Sequence, residues 1–91
     1  MRNTRFEHPF QLSFRSMNLA AVIDAAGYYV QVLRQPGSTR RSVFYADDCE
    51  PVQELIRQYE AGEPLNISAK QILESRSDLH HRCIKAQLEA L

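Results

Sequence analysis

The densest group of chemically versatile side chains is the stretch DLHHRC at residues 78–83, which contains two of the three histidines and one of the two cysteines. His80 and Cys83 are three residues apart, so on a helix they share a face, a spacing that suits two zinc ligands. A structural zinc site needs four ligands, and the remaining histidine and cysteine stand alone in the sequence. His81 is turned about 100° away from His80. We therefore expect no metal site here, and we expect Cys83 to be buried as a small apolar side chain.

Sequence patterns for catalysis are also missing. A Cys–His nucleophile needs a third, orienting group and an oxyanion donor, and nothing in the spacing supplies them. The adjacent carboxylates Asp47 and Asp48 suit a helix start better than acid–base chemistry across a cleft. No glycine motif of phosphate-binding spacing is present in the sequence. We predict that the protein is not an enzyme and uses neither a cofactor nor a small-molecule substrate.

Tyrosines and arginines on the predicted sheet are the better functional candidates. The face turned toward the helices is predicted to hold Phe10, Leu12, Phe14, Val30, Val32 and Phe44. The outward face and the hairpin supply the candidate binding residues Arg15, Tyr29, Gln31, Arg40, Arg41 and Tyr45. Aromatic and arginine side chains in such a place can stack bases and contact phosphates, but they are equally enriched at protein interfaces. A third interpretation is structural: Tyr29 and Tyr45 form a cross-strand pair, and Arg40 and Arg41 protect a strand edge.

The first half of the chain predicts three strands and one helix. Alternation after Pro9 predicts a strand, and Ser16 is a suitable N-cap for the helix that follows and ends at Gly27. The stretches YYVQVLRQ and RRSVFYAD alternate again and flank the turn sequence PGST at residues 36–39. They predict the two arms of a hairpin.

The second half predicts helices. Asp47, with Glu50 three residues later, predicts a helix start that Gly62 ends. Ser68 and Gln71 form the best capping-box signal in the chain and begin the last helix. The polar stretch SRSD at residues 75–78 can break this helix in two.

These elements predict an α+β protein: a three-stranded sheet in the order β-α-β-β-α-α, with the helices packed on one face. We expect residues 9–91 to form one domain after a flexible segment at residues 1–8. The sequence leaves open whether the first strand pairs with the second or the third.

A membrane-spanning helix needs about 20 apolar residues, and no apolar run in this sequence approaches that length. With two cysteines and no apparent signal peptide, we expect a cytoplasmic protein.

The charge is balanced overall but unevenly distributed. The net charge is +0, which argues against a protein that coats nucleic acid by charge alone. Residues 1–45 carry six arginines against two acidic residues, whereas residues 46–91 carry five basic and nine acidic residues. Either different elements have different solvated faces, or a basic end of the molecule meets an acidic partner.

Three stretches carry a resemblance to a known family: LAAVIDAAGYYVQVL, RRSVFYADD and VQELIRQYEAGEPLNISAKQIL. Over most of residues 10–75 they resemble short uncharacterised proteins of bacteria, phages and mobile elements. The matching positions are Leu19, Ala20, Gly27, Val43, Phe44, Leu55, Tyr59 and Gly62. The resemblance implies the strand-helix-hairpin-helix-helix pattern and a phage or mobile-element origin, and it assigns no activity.

The resulting functional prediction is a small non-enzymatic binding protein that acts as an inhibitor or adaptor of a host protein. The alternative is a nucleic-acid-binding accessory protein that uses the basic hairpin and the exposed sheet face. Pairing with a second copy, through a sheet edge or the last helix, is compatible with both.

Overall fold

The computed structural model describes residues 11–34 and 41–89. Within these ranges the fold has three strands and three helices in the predicted order. They are β1 (Gln11–Phe14), α1 (Met17–Ala25), β2 (Gln31–Arg34), β3 (Ser42–Asp47), α2 (Glu50–Ala61) and α3 (Ala69–Glu89). The α+β prediction is confirmed. Within the described ranges, no helix combines the length and the apolar character needed to cross a membrane.

The strand order, which the sequence left open, is β1-β3-β2 with both pairings antiparallel. β3, the last of the described strands, therefore lies in the centre of the sheet. Phe44 shows the consequence, because it pairs with Phe14 on one side and with Val32 on the other. The rings of Phe14 and Phe44 stack with their centroids 6.0 Å apart.

Alternation along the strands separates the two faces of the sheet as the sequence predicts. The sheet residues that belong to or pack against the core are Leu12, Phe14, Val30, Val32, Phe44 and Ala46. The helices complete the core on this side, with Ile23 of α1, Val52 of α2 and Leu79 of α3 all fully buried. Helix α1 packs mainly against α3. Helices α1 and α3 therefore cover one face of the sheet, and α2 packs against α1.

Helix α1 has the two ends that the sequence predicts. The Ser16 hydroxyl accepts a hydrogen bond from the Leu19 N–H at 3.1 Å. At the other end Gly27 has a φ of 101°, and its N–H donates to the Asp24 carbonyl at 3.0 Å. A left-handed residue at this position closes a helix end most easily when it is glycine.

The predicted start of α2 at Asp47 is wrong. Asp47 is the last residue of β3, where it pairs with Gln11. The helix begins at Glu50 with Cys49 as its N-cap residue, and the Cys49 side chain makes no capping hydrogen bond. Pairing with β1 holds Asp47 in extended backbone, which a local capping pattern does not anticipate. The end of the helix is as predicted, with Gly62 left-handed at φ 73°.

Helix α3 begins with the predicted capping box. The Gln71 N–H donates to the Ser68 hydroxyl at 3.1 Å, and the Ser68 N–H donates to the Gln71 side-chain carbonyl at 3.0 Å. The helix then runs unbroken through residues 75–78. Two contacts support that stretch: Leu79 is fully buried, and Asp78 lies one turn before Arg82 with 3.2 Å between Oδ2 and Nε.

The hairpin is shorter than predicted on its first arm. Strand β2 begins at Gln31, so Tyr28 and Tyr29 precede it without regular structure. Four predicted features lie outside the described residues: the flexible segment at residues 1–8, Phe10 on the core side of the first strand, the turn at residues 36–39, and Arg40.

Candidate interaction surfaces

The face of the sheet that the described helices leave uncovered is the first candidate surface. We call it the sheet face. It consists of the strand positions that alternate with the core positions, namely Gln11, Ser13, Gln31, Leu33, Val43, Tyr45 and Asp47. Tyr45 lies at its centre, because the register places Ser13 on one side of it and Gln31 on the other.

Apolar side chains on the sheet face are not part of the core. Leu33 pairs with Val43, and Leu33 is 43% exposed. Val43 and Tyr45 are half-buried, and neither belongs to the group of side chains that packs against the core. An exposed leucine beside a valine and a tyrosine is an apolar patch that a partner can cover.

Tyr29 extends this surface at the edge of the sheet. Its side chain is 74% exposed, and it lines a groove of about 300 Å³ together with Gln31 and, from α3, Lys85 and Glu89. The register places Gln31 opposite Tyr45, so Tyr29 and Tyr45 are not the directly opposed cross-strand pair of the structural interpretation. Tyr29, Gln31 and Tyr45 are therefore brought to one region of the molecule.

The arginines lie elsewhere. Arg15 and Arg41 line a second groove, of about 470 Å³, with the core residue Phe44 and with His80 of α3. Arg15 follows the end of β1 and Arg41 precedes the start of β3, and these two strand ends adjoin because Phe14 pairs with Phe44. Outside the strands, alternation no longer fixes the side to which a side chain points. The predicted single site is thus two sites, one with tyrosines and one with arginines.

The DLHHRC stretch lies on the C-terminal half of α3. Cys83 is buried as predicted, with 6% of its surface exposed. His80 and His81 are both exposed, and their ring centroids are 6.3 Å apart. Within the described ranges, no group of three histidine, cysteine, aspartate or glutamate side chains is arranged to hold a metal ion.

Arg82, which sequence reasoning did not single out, connects three elements. Its Nη1 donates to the Val30 carbonyl at 2.9 Å, just before β2. Its Nη2 lies 3.7 Å from Asp24 of α1, and its Nε lies 3.2 Å from Asp78. Only the last contact has a sequence signal, the four-residue spacing within one helix. The other two depend on how α3 packs, so sequence spacing could not reveal them.

A third groove, of about 540 Å³, lies between the end of α1, the helix α2 and the start of α3. Tyr28, Leu55 and Ile67 contribute to its apolar lining, and Glu54 is its charged residue.

Glu54 is held by an arginine on the same helix. Arg57 donates to Glu54 at 3.0 and 2.6 Å and to Glu63 at 3.0 and 3.1 Å. Hydrogen bonding from Arg57 lowers the pKa of Glu54 below its usual 4.5, so this carboxylate stays charged at neutral pH. The one carboxylate of the groove already has a cation partner.

Comparison with family models, with curated proteins and with solved structures gives no match to this chain.

Proposed function

We propose that this protein is a non-catalytic binding protein that recognises a host protein through its sheet face and acts as an adaptor or inhibitor. The observation that supports this proposal is the composition of the sheet face. Leu33, Val43 and Tyr45 form its apolar patch, and none of its described positions is a lysine or an arginine. Cores of protein interfaces are depleted in charge and enriched in aromatic residues.

Separation of the arginines from the tyrosines favours a protein partner over nucleic acid for this surface. Single-stranded nucleic acid is held by stacking on aromatic side chains beside cations that follow the phosphates. Arg15 and Arg41 lie in the groove beside Phe44 on the helix-covered side, whereas Tyr45 is on the sheet face. A nucleic acid stacked on Tyr45 would meet Asp47 along the same strand.

The test is site-specific photo-crosslinking in cells that carry the protein. A benzophenone amino acid replaces Leu33, and a matched probe replaces Glu60, which is exposed on α2. We expect the probe at Leu33 to capture one protein, the probe at Glu60 to miss it, and Tyr45→Arg to reduce the capture by about tenfold or more, as for a central interface residue. Nuclease should leave the adduct unchanged.

Two results contradict the proposal. In the first, the probes at Leu33 and Glu60 give the same adducts, which indicates that crosslinking does not depend on the sheet face. In the second, Tyr45→Arg leaves the Leu33 adduct unchanged or the adduct consists of nucleic acid. Circular dichroism of Tyr45→Arg checks that the fold is retained, and Tyr45→Ser serves as a milder variant.

The second candidate function, nucleic-acid binding, is supported by the groove that brings Arg15 and Arg41 together with His80. Phosphate contacts make affinity fall with salt, and each lost contact lowers the slope of log K against log salt by about one. We expect Arg15→Gln to lower this slope in a filter-binding assay, with Arg57→Gln on α2 as the control. No retention of DNA or RNA at low salt contradicts this candidate.

The proposal also includes the cellular location and the origin of the protein. Cys49 and Cys83 are both free, as is usual in a reducing compartment, and this supports a cytoplasmic location. The phage or mobile-element origin implied by the resemblance stays a prediction.

A further inference from the structure

Helix α3 has a second apolar side that faces away from the core. Leu73, Ile84 and Leu88 are 65%, 42% and 63% exposed, respectively. At about 100° per residue they fall in one sector of the helix, whereas the fully buried Leu79 lies about 120° or more from each of them. We call the outward sector the α3 stripe; it consists of Leu73, Ser77, His80, His81, Ile84 and Leu88. An amphipathic helix that packs only on its own domain needs one apolar side, so the stripe requires another explanation.

The stripe matches itself when a second α3 runs antiparallel to the first. Leu73 lies seven residues before His80, and Leu88 lies seven residues after His81. Ser77 and Ile84 are placed symmetrically about the same midpoint. Setting His80 of one copy opposite His81 of the other therefore brings Leu73 against Leu88 and Ser77 against Ile84. Each contact occurs twice, as in any isologous interface.

Charged residues beside the stripe are complementary in the same arrangement. Charged positions that flank the apolar seam of a helix pair can form ion pairs between the helices. In the same register Glu89 of the other copy lies two residues from the position opposite Lys70, and Lys85 lies two residues from the position opposite Glu74. All four side chains are exposed, and none forms an ion pair with another described residue.

We propose that the α3 stripe is the interface of a homodimer in which the two α3 helices pack antiparallel about a two-fold axis near His80 and His81. The occupant is a second copy of this chain because, in one register, Leu73 meets Leu88 and Glu74 approaches Lys85. The inference goes beyond the proposed function. The sheet face lies on the side of the sheet that the helices leave uncovered, so a dimer built on α3 presents two sheet faces.

The experiment is a charge-reversal cycle on the full chain, measured by sedimentation equilibrium. Glu74→Lys and Lys85→Glu each convert two attractive contacts per dimer into repulsive ones. We expect each single variant to raise the dimer dissociation constant by about tenfold, because exposed ion pairs are individually weak but occur twice here. The double variant restores opposite charges in the same register, so its dissociation constant should return to within about threefold of the parent value.

Two further variants complete the cycle. Leu88→Asp places a charge against Leu73, and we expect it to leave the chain monomeric at concentrations where the parent is dimeric. Glu60→Lys on α2 changes the net charge as Glu74→Lys does, and it should leave the dissociation constant unchanged. Circular dichroism confirms that each variant keeps its helix content.

Three outcomes overturn the inference. A parent chain that stays monomeric up to millimolar concentration has no such dimer. A dimer that Glu74→Lys and Lys85→Glu leave intact, or that the double variant fails to restore, uses another surface or register. A stripe that crosslinks only to the helix of a different protein has a different occupant.

Discussion

Leu73 and Leu79 are the same residue type on the same helix, and their surroundings are opposite. Leu79 is fully buried in the core, whereas 65% of the Leu73 side chain is exposed. The two positions differ only in the direction in which the helix points them. Comparing the two positions separates the contribution of a buried leucine to the free energy of unfolding from the role of an exposed leucine on a binding surface.

We expect Leu79→Ala to lower the free energy of unfolding by about 2–5 kcal/mol, because it removes a buried side chain and leaves a cavity. Leu73→Ala should lower it by less than about 0.5 kcal/mol, as for other surface substitutions. Urea unfolding, measured where the chain is monomeric, checks both values. Equal losses for the two variants would contradict the buried position of Leu79. If Leu79→Ala does not fold, Leu79→Met keeps the volume and should lose less than about 1.5 kcal/mol.

Individual residues were predictable from sequence where their role is local. Ser16 caps the start of α1 and Gly27 closes its end, as capping chemistry predicts. Cys83 is buried, as helical periodicity predicts. Arg82 was not predictable in the same way. Its hydrogen bond to the Val30 carbonyl joins residues 52 positions apart in the chain. Only the packing of α3 beside β2 brings that carbonyl within its reach.

Helix α3 illustrates how one element is specified at the scale of secondary structure. Its start depends on the reciprocal hydrogen bonds of Ser68 and Gln71, which satisfy two backbone N–H groups at the helix end. Its continuation through residues 75–78 depends on tertiary packing at Leu79 and on the pair formed by Asp78 and Arg82. The sequence therefore predicted where α3 begins but left open whether it stays whole.

Ser68→Ala should destabilise the protein by about 1 kcal/mol, because the Gln71 N–H loses its hydroxyl acceptor. Ser77→Ala, in the middle of the same helix, should be neutral or slightly stabilising, since alanine is the better helix former. Thermal unfolding of the two variants at a concentration where the chain is monomeric measures the difference. A loss for Ser77→Ala as large as that for Ser68→Ala would contradict the capping role.

At the scale of the whole molecule, the fold separates surfaces that the sequence placed together. Arg15 and Arg41 lie in a groove on the helix-covered side, while Tyr45 and Gln31 are neighbours on the sheet face. The α3 stripe is a further surface, and it shares His80 and Ile84 with the arginine groove. A molecule with one surface for a partner and another for a second copy can present two binding faces at once, which strengthens binding to a repeated target.

The two surfaces should act independently, because residues that share no contacts have additive effects. We expect Tyr45→Arg to change the dimer dissociation constant by less than about threefold. Glu74→Lys should leave the crosslink from position Leu33 intact while it weakens the dimer. Sedimentation and crosslinking of the same two variants check both expectations. A Glu74→Lys variant that loses the Leu33 crosslink shows instead that capture requires the dimer.

The sequence by itself determined the order and type of the elements, the ends of α1, the start of α3 and the core side of each strand. These features depend on contacts between residues close in the chain and on periodicity, which can be read without the fold. The tertiary structure decided that β3 is the central strand, that Asp47 belongs to it, and that the arginines and tyrosines lie apart. Those outcomes depend on which distant segments pair, and pairing is set by the burial of the whole core, which no local pattern encodes.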